Sequence, residues 1–346
     1  MKKTLFILSL MFVVIISGTL IASADDIVIK LAHEEPANID NSSAHAAAVA
    51  FKNVIETQSN GEMTVKIYPG SSMGKQRERM ELTKANIIQV NIASIGGIAQ
   101  FYPEISAIDL PFAFPNHTVA YKVLDGEFGQ LIQEKLLDKT DLRFLTTSAG
   151  GFYVLSNNVR PVRTPADMKG IKFRTMSVPS HIAMMKSLGA AATPVAWSEL
   201  YTSLQTGVVQ GQHNPIPIMA IGGLQEVQNY ATLTNHLYGC DWWLTSQKFY
   251  ESLSTDQQNI FNNAVSMAAT VGRGHKQLLN ATRFGVKFLE DAGVEVYAPS
   301  IAELKEFKEL AVPAVMKTIE EDFGQEGLEL ANKLLDVVKE LETELY

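Results

Sequence analysis

The decapeptide YPGSSMGKQR, residues 68–77, holds Ser72 in a G-x-S-x-G pattern between a strand-like and a helix-like segment. Serine hydrolases use this pattern to expose a nucleophilic serine on a sharp strand-to-helix turn. A nucleophile also needs a base and an orienting acid, and Pro69 with two adjacent serines is equally typical of a loop that enters a helix. A phosphate-binding loop does not fit, because Gln76 stands where Ser or Thr is required. A hydrolase centred on Ser72 is therefore the least favoured function.

The histidines and the single cysteine form no motif for a metal or a cofactor. The tetrapeptide HEEP at 33–36 lacks the second histidine of the metalloprotease motif. Cys240 has no His or Cys at ligand spacing, and no G-x-G-x-x-G follows the first predicted strand. The sequence predicts no catalytic residue, no metal site and no cofactor, so we expect a protein that is not an enzyme.

Three features suggest ligand capture. Arg174 lies in the apolar strand GIKFRTM, and the planar fork of an arginine can grip a carboxylate with two hydrogen bonds. From spacing alone, a structural ion pair or a solvated residue at the sheet edge is the favoured role for Arg174. The amide-rich segment QTGVVQGQHNP suits a polar ligand but also suits a capping turn. The segment NHLYGCDWWL gathers His236, Trp242 and Trp243, and core packing is the simpler role for one of the two tryptophans.

The N-terminus predicts export. Lys2 and Lys3 precede an apolar run, and Ala22-Ser23-Ala24 follows it, so we expect a signal peptide cleaved after Ala24 and a mature protein in the periplasm. A membrane anchor is the alternative. The 346 residues carry 29 Lys and Arg against 37 Asp and Glu, a formal charge of −8. Because no basic stripe reverses this charge locally, we expect no nucleic-acid partner.

Alternating strand and helix patterns predict an α/β protein of two similar halves with a cleft between them. The segments DIVIKLAHEEP, MTVKIYPG and IIQVNIAS read as strands separated by two helices, which predicts a parallel sheet. The same alternation of strands and helices begins again with the predicted strands GFYVLSN and GIKFRTM. A long helix from Thr255 to about Ala292, opened by a capping box at Ser254 and Gln257, is expected to span both halves. The alternative is a break at Gly272 and Gly274.

Together these segments resemble the extracytoplasmic solute receptors of TRAP transporters, the DctP-type family. The matching runs are YPGSSMGKQRE, AIDLPFAF, LDGEFG, RPVRTPADMKGIKFR, SLGAAATPVAWSELYTSLQTGVVQGQHNP and EVQNYATLTNH, which cover most of the chain after the leader. The resemblance implies a two-lobed periplasmic binding protein, with lobe I at 25–150 plus about 239–277 and lobe II at 151–238 plus about 278–346. It also implies that GSSMG is a turn without a nucleophile.

The resemblance further implies a mechanism. Such a receptor closes its two lobes over a small organic acid and delivers it to a permease of one small and one large integral-membrane subunit, driven by a sodium gradient. Arg174 then matches the carboxylate-clamping arginine of the family, and Asn214 matches its ligand-contacting asparagine. Further ligand-binding residues are expected at positions that line the cleft in the family: Glu34, Gln76, Ser94, Ser177, Trp197 and His236.

The sequence departs from the family pattern in ways that bear on the ligand. Tyr153 stands where the family often has a second arginine, which argues against a C4-dicarboxylate. Gln210 and His213 replace two acids of the family motif. Glu34 beside Arg174 would accept hydrogen bonds from hydroxyl or ammonium groups, and Trp197 and Tyr153, both expected to bind the ligand, offer flat faces for a ring. We expect a hydroxylated monocarboxylate such as a uronate or aldonate; the alternatives are an amino or aromatic carboxylate, or a sensory receptor module.

Overall fold

The computed structural model describes residues 27–345. The predicted signal peptide and its cleavage after Ala24 lie outside these residues. Within 27–345, no helix combines the length and the apolar run that a membrane crossing needs.

The strands and helices alternate along most of the chain. The strands are β1 (Ile27–Ala32), β2 (Met63–Tyr68), β3 (Val90–Ala93), β4 (Leu142–Phe152), β5 (Val154–Asn157), β6 (Lys172–Thr175), β7 (Ala191–Pro194), β8 (Gly211–Asn214), β9 (Tyr230–Thr232), β10 (Tyr238–Ser246) and β11 (Glu295–Tyr297). The α-helices are α1 (Ser43–Gln58), α2 (Gln76–Lys84), α3 (Ile95–Ile98), α4 (His117–Asp125), α5 (Glu127–Thr140), α6 (Pro179–Ser187), α7 (Trp197–Gln205), α8 (Ile216–Ile221), α9 (Gln247–Ser252), α10 (Thr255–Thr282), α11 (Val286–Asp291) and α12 (Ile301–Leu345).

The first sheet has the order β2-β1-β3-β10-β4. Strand β1 pairs in parallel with β2 and β3, as the alternating pattern predicts, and β10 joins antiparallel to β3 and β4. The side chains of α1, α10 and β10 meet in one core, where the Phe51 ring lies 5.7 Å from Trp243 and 5.5 Å from Phe261. Burying an aromatic side chain of this size stabilises the fold by about 1.5–3 kcal/mol.

The second sheet has the order β11-β9-β5-β8-β6-β7. Strand β6 pairs in parallel with β7 and β8, whereas β5 runs antiparallel to β8 and β9. Its separate core contains Leu200, Leu204 and Leu289. The two sheets with helices around them confirm the predicted α/β class with two lobes.

The chain passes between the sheets at three places. Strand β4 ends at Phe152 in the first sheet, β5 begins at Val154 in the second, and Tyr153 lies between them with its backbone N–H donating to the Leu237 carbonyl at 2.9 Å. The chain returns between β9 and β10 and passes over again after α10. These passages lie near the lobe boundaries expected at about residues 150, 238 and 277. The exact boundaries of the lobes remain a prediction.

The prediction of one helix from Thr255 to about Ala292 is wrong at its C-terminal end, because α10 ends at Thr282 and α11 begins at Val286. At the break the Phe284 N–H donates to the Leu279 carbonyl, and the Phe284 side chain is buried. Gly285 then continues in extended backbone so close to the Asn280 carbonyl that a Cβ would lie 2.5 Å from it. The predicted capping box at Ser254 and Gln257 is confirmed.

Helix α10 runs through Gly272 and Gly274, so the alternative break at these glycines is also wrong. A Cβ on Gly272 would lie 2.9 Å from the Ser148 Cβ and 3.2 Å from the Ala47 Cβ, whereas nothing lies within 4 Å of one on Gly274. Gly272 therefore permits the close approach of α10 to α1 and β4. Helix α10 also contacts α8 beside the second sheet and so touches both lobes, as predicted.

The C-terminal helix α12 covers the helical layer beside both sheets. It kinks at Gly324, whose φ of 56° lies in the left-handed region that glycine adopts without a steric cost. Its apolar stripe, which includes Phe307, Val315 and Leu330, packs against α4, α5 and α6. This helix therefore ties the helices of the two lobes together.

Candidate ligand-binding cleft

A cavity of about 100 Å³ lies between the two sheets. Part of its polar lining comes from residues at or just after the ends of β1, β3, β6 and β8, which is where open α/β sheets bind ligands. A second cavity of about 190 Å³ shares Glu34, Gln76, Arg174, Met176 and Trp197 with the first. The two cavities form one cleft. Seven of the nine predicted site residues line the first cavity: Glu34, Gln76, Ser94, Tyr153, Arg174, Trp197 and Asn214.

Arg174 is the only Lys or Arg among the residues that line the first cavity. It lies on β6, is 3% exposed, and its Nε donates to the Val195 carbonyl at 2.8 Å. Within residues 27–345, neither Nη atom makes a hydrogen bond or an ion pair. Burial lowers the pKa of Arg174 to about 10, while the charges of Tyr153 and Glu34 oppose this shift. The side chain is therefore a cation at neutral pH, and the N–H groups of its two Nη atoms are free to bind a ligand.

Asn214 ends β8, and its side chain is oriented by a chain of buried amides and a hydroxyl. Its Nδ2 donates to the Gln212 Oε1 at 2.5 Å, the Gln212 Nε2 donates to the Ser156 Oγ at 2.7 Å, and that hydroxyl donates to the Gln228 Oε1 at 2.9 Å. In the described part of the chain, the Asn214 Oδ1 accepts no hydrogen bond. The amide thus presents an acceptor, which suits a ligand hydroxyl.

Two aromatic residues on the cavity wall each lie against a glycine. A Cβ on Gly239 would lie 2.4 Å from the Tyr153 ring, and one on Gly222 would lie 2.8 Å from the Trp197 indole. Both rings therefore need glycine beneath them to take their positions. Burial and the Asp109 charge raise the pKa of Tyr153 above its ordinary value, so its hydroxyl remains a neutral donor.

Glu34 faces the cavity but already has partners. Its Oε1 lies 3.5 Å from the Nη1 of the fully buried Arg79, and its Oε2 accepts a hydrogen bond from the Gln76 Nε2 at 2.5 Å. The Gln76 amide also donates to the Ser94 Oγ at 2.8 Å. Across the cleft, the Ser94 hydroxyl lies 3.4 Å from the Met176 sulfur. Arg79 was not among the site residues predicted from the sequence. Its position on the buried face of α2 is a signal that could have indicated a buried charge beside the cleft.

His236 and Ser177 do not line the first cavity. His236 is buried behind it, where its Nε2 lies 3.1 Å from the His213 Nδ1 and its Nδ1 lies 2.6 Å from the Thr234 hydroxyl. Burial and the nearby His181 lower the pKa of His236 to about 3, so its ring is neutral. Ser177 lines the second cavity.

Gln210 and His213, which replace two acids of the family motif, both contact other residues of the protein. His213 stacks on the neutral His236 ring at 5.4 Å. The Gln210 Oε1 accepts a hydrogen bond from the Lys172 backbone N–H at 3.2 Å and so joins two neighbouring strands.

The cavity contains two acids that the sequence reasoning missed, Glu35 and Asp241, and the buried Lys276 lies beside Glu35. The Lys276 Nζ is 3.6 Å from the Glu35 Oε1. These residues come from three distant parts of the chain. A lysine on the buried stripe of α10, between Gly272 and Leu279, is the one sequence signal that could have indicated them.

Ser72 lies exposed in a turn, with its backbone N–H donating to the Pro69 carbonyl at 3.1 Å, which confirms the expected turn. No histidine of residues 27–345 hydrogen-bonds to its hydroxyl. Burial raises the pKa of Cys240 well above its ordinary value, which disfavours the nucleophilic thiolate. Across the described residues, no group of three His, Cys, Asp or Glu side chains could hold a metal ion.

Two α/β lobes that enclose a cleft, with a buried arginine whose outer donors are unused, define a two-domain solute-binding protein. Residues 33–322 match the family described as bacterial extracellular solute-binding protein, family 7, or DctP, and the chain belongs to this family. The resemblance to TRAP receptors is thereby confirmed.

Relatives and solved structures agree with this assignment. The C4-dicarboxylate-binding periplasmic protein DctP of Rhodobacter capsulatus is 30% identical over 313 residues, which are 89% of this chain and 90% of the relative. The sugar acid binding protein DctPAm of Advenella mimigardefordensis, solved with galactonate, is 29% identical with a TM-score of 0.83 over 90% of this chain and 98% of that one. A TRAP periplasmic solute-binding protein of Sulfitobacter sp. NAS-14.1, solved with β-D-galacturonate, is 26% identical with a TM-score of 0.82 over 90% and 99%. These proteins are binding proteins rather than enzymes.

Proposed function

We propose that this TRAP solute receptor binds a hydroxylated monocarboxylate, a uronate or an aldonate, between its two lobes. After closing over the acid in the periplasm, it delivers the acid to the small and large membrane subunits of its permease. The sugar acids bound by the two structural neighbours support this ligand class.

The charge of the cavity lining carries the proposal. Arg174 is its one Lys or Arg, and the two buried cations beside the cavity are already paired, Arg79 with Glu34 and Lys276 with Glu35. One ligand carboxylate can pair with the two unused Nη donors of Arg174. A second carboxylate would find no unpaired cation in the lining of this cavity, since Tyr153 supplies a hydroxyl and no charge. The balance therefore favours a ligand with a single negative charge.

The remaining lining groups suit hydroxyls. The Asn214 Oδ1 is an acceptor, the Tyr153 hydroxyl is a donor, and the Trp197 indole offers an apolar face for the C–H side of a sugar ring. A polyhydroxylated chain or ring can use all three.

An α-amino acid is the second candidate, because three acids around one arginine also suit a ligand that carries both a carboxylate and an ammonium group. The test must therefore include it.

Isothermal titration calorimetry of the protein with D-galactonate, D-galacturonate, succinate and L-alanine tests the proposal. We expect a sugar acid to bind and the other two to bind at least ten times more weakly. Arg174→Lys should weaken sugar-acid binding roughly ten- to a hundredfold, because Lys cannot form the two-pronged pair. The matched variant Arg283→Lys, at an exposed position, should bind like the wild type. Tighter binding of succinate or L-alanine, or unchanged binding by Arg174→Lys, would overturn the proposal.

A further inference from the structure

A buried group of three charged side chains lies at the inner part of the cleft. Glu35 follows β1, Asp241 lies on β10, and Lys276 lies on α10. Glu35 and Asp241 line the cavity, while Lys276 is 2% exposed beside Glu35. The group holds two carboxyls and one ammonium, so one acid lacks a counter-charge.

Glu35 is the acid that has a counter-charge and hydrogen bonds, although its Oε1 and the Lys276 Nζ make no hydrogen bond within 27–345. Its Oε2 accepts hydrogen bonds from the Ser42 hydroxyl at 2.7 Å and from the Ala44 N–H at 3.2 Å, and Lys276 lies beside its other oxygen. Burial alone would raise its pKa, but the Lys276 ammonium and the two hydrogen bonds hold the pKa of Glu35 below its ordinary value. Glu35 and Lys276 are thus a compensated ion pair.

Asp241 has no such partners. Its Oδ2 is shielded from solvent and makes no hydrogen bond with any residue of 27–345, yet the side chain as a whole keeps an accessible edge on the cavity. An ionised carboxylate in such a place is costly, and a buried acid commonly takes up a proton instead. Burial and the Glu35 charge raise the pKa of Asp241 well above its ordinary value, and Lys276 opposes them only in part. The charged or titratable groups around it are Glu34, Glu35, Lys276, Tyr153 and Cys240.

We propose that Asp241 is a specificity-determining residue of the cleft, whose carboxylic acid group donates a hydrogen bond to a hydroxyl or carbonyl oxygen of the ligand. This inference rests on the proposed function, because it assumes that the cleft holds a hydroxylated monocarboxylate. It adds a contact that distinguishes a long sugar acid from a short monocarboxylate. It also opposes an ammonium ligand, which would need Asp241 ionised.

The substitution Asp241→Asn distinguishes binding by a neutral Asp241 from binding by an ionised one. Asparagine keeps the shape of the side chain and a hydrogen-bond donor and acceptor, but it cannot carry a charge. With D-galactonate and D-galacturonate as probes in calorimetry, Asp241→Asn should retain the affinity of the wild type within about threefold. Asp241→Ala and Asp241→Ser, which cannot reach the ligand, should weaken it roughly ten- to a hundredfold. Because Asp241→Ala and Asp241→Ser both remove the contact, the loss of affinity can still be measured if one of the two variants fails to fold. Asp322→Asn and Asp322→Ala, at an exposed position of α12, are the matched controls and should bind like the wild type.

Each adverse result has its own meaning. Loss of affinity in Asp241→Asn as large as in Asp241→Ala would show that the ionised carboxylate binds the ligand, and would overturn the inference. Unchanged affinity in folded Asp241→Ala and Asp241→Ser would overturn it as well, by showing no contact. If the wild type bound neither probe, the proposed function itself would fail, and this inference with it.

Discussion

Glu34 and Arg79 form an ion pair at the edge of the cleft, with the Glu34 Oε1 3.5 Å from the Arg79 Nη1. Arg79 is fully buried, and its Nε also donates to the Asn91 side chain at 3.2 Å. From the sequence we expected the Glu34 carboxylate to accept hydrogen bonds from a ligand. In the structure this carboxylate already neutralises a buried cation, so any ligand contact would be shared with Arg79 and Gln76.

Replacing Glu34 with Gln should therefore destabilise the protein as well as alter binding. The change leaves the Arg79 guanidinium buried without its counter-charge, which we expect to lower the free energy of unfolding by roughly 3 kcal/mol. Urea denaturation of the ligand-free protein measures this. The double variant Glu34→Gln, Arg79→Met removes both charges and should recover part of the loss. Equal stability of the wild type and Glu34→Gln would show that the pair contributes nothing.

The site could be predicted only where one side chain sits in a recognisable segment. Arg174 and Asn214 belong to contiguous runs that resemble the family, and the structure brings both to the cavity. Glu35, Asp241 and Lys276 are about 35 to 240 positions apart, and neither spacing nor periodicity relates them. What joins them is the packing of α10 beside the first sheet, which no short sequence pattern encodes. The family resemblance implied that His236 lines the cleft, yet its ring turns toward His213 and Thr234.

A second ion pair links the two lobes beside the second cavity. The Lys75 Nζ, at the start of α2 beside the first sheet, lies 2.6 Å from the Glu199 Oε1 on α7 beside the second. Opening the lobes would break this exposed contact. Glu199→Gln should therefore speed release of a bound sugar acid roughly two- to fivefold, measured by stopped-flow displacement. Asp291→Asn breaks an exposed pair with Lys287 that lies within one helix, and it should leave release unchanged.

The same pair predicts a pH and salt dependence of release. The hydrogen bond from Lys75 lowers the pKa of Glu199 below 4.5, and the bond to Glu199 raises the pKa of Lys75 above 10.5. The contribution of the pair is thus fully present between these two ordinary values. It is lost as pH falls through the lowered pKa of Glu199 or rises through the raised pKa of Lys75. Near neutral pH, the rate of ligand release should depend on salt rather than on pH. If release from Glu199→Gln depended on salt as strongly as release from the wild type, the pair would not be the cause.

The two glycines of α10 should respond to alanine in opposite directions. Helical backbone tolerates alanine better than glycine, so Gly274→Ala, with open space around its Cβ, should raise the free energy of unfolding by about 0.5–1 kcal/mol. Gly272→Ala gains the same helix preference but forces its Cβ against Ser148 and Ala47, and overpacking of this kind costs about 1–3 kcal/mol. Thermal and urea unfolding of the two variants measure the difference. A sequence alone cannot separate these glycines, because only the neighbouring elements distinguish them. Stabilisation by both substitutions would show that α10 does not approach α1 and β4 this closely.

Tryptophan fluorescence should report ligand binding through one residue. Of the three tryptophans, Trp197 alone lines the first cavity, whereas Trp242 and Trp243 are 1% and 0% exposed. A sugar acid that packs on the Trp197 indole should change its emission and leave that of the other two nearly constant. Trp197→Phe should therefore abolish the change on adding D-galactonate and weaken binding about three- to tenfold, since a smaller ring keeps only part of the contact. Trp242→Phe, a matched replacement in the core, should keep both the emission change and the affinity at a temperature where the variant is folded. A full emission change in Trp197→Phe would place the ligand elsewhere than on this ring.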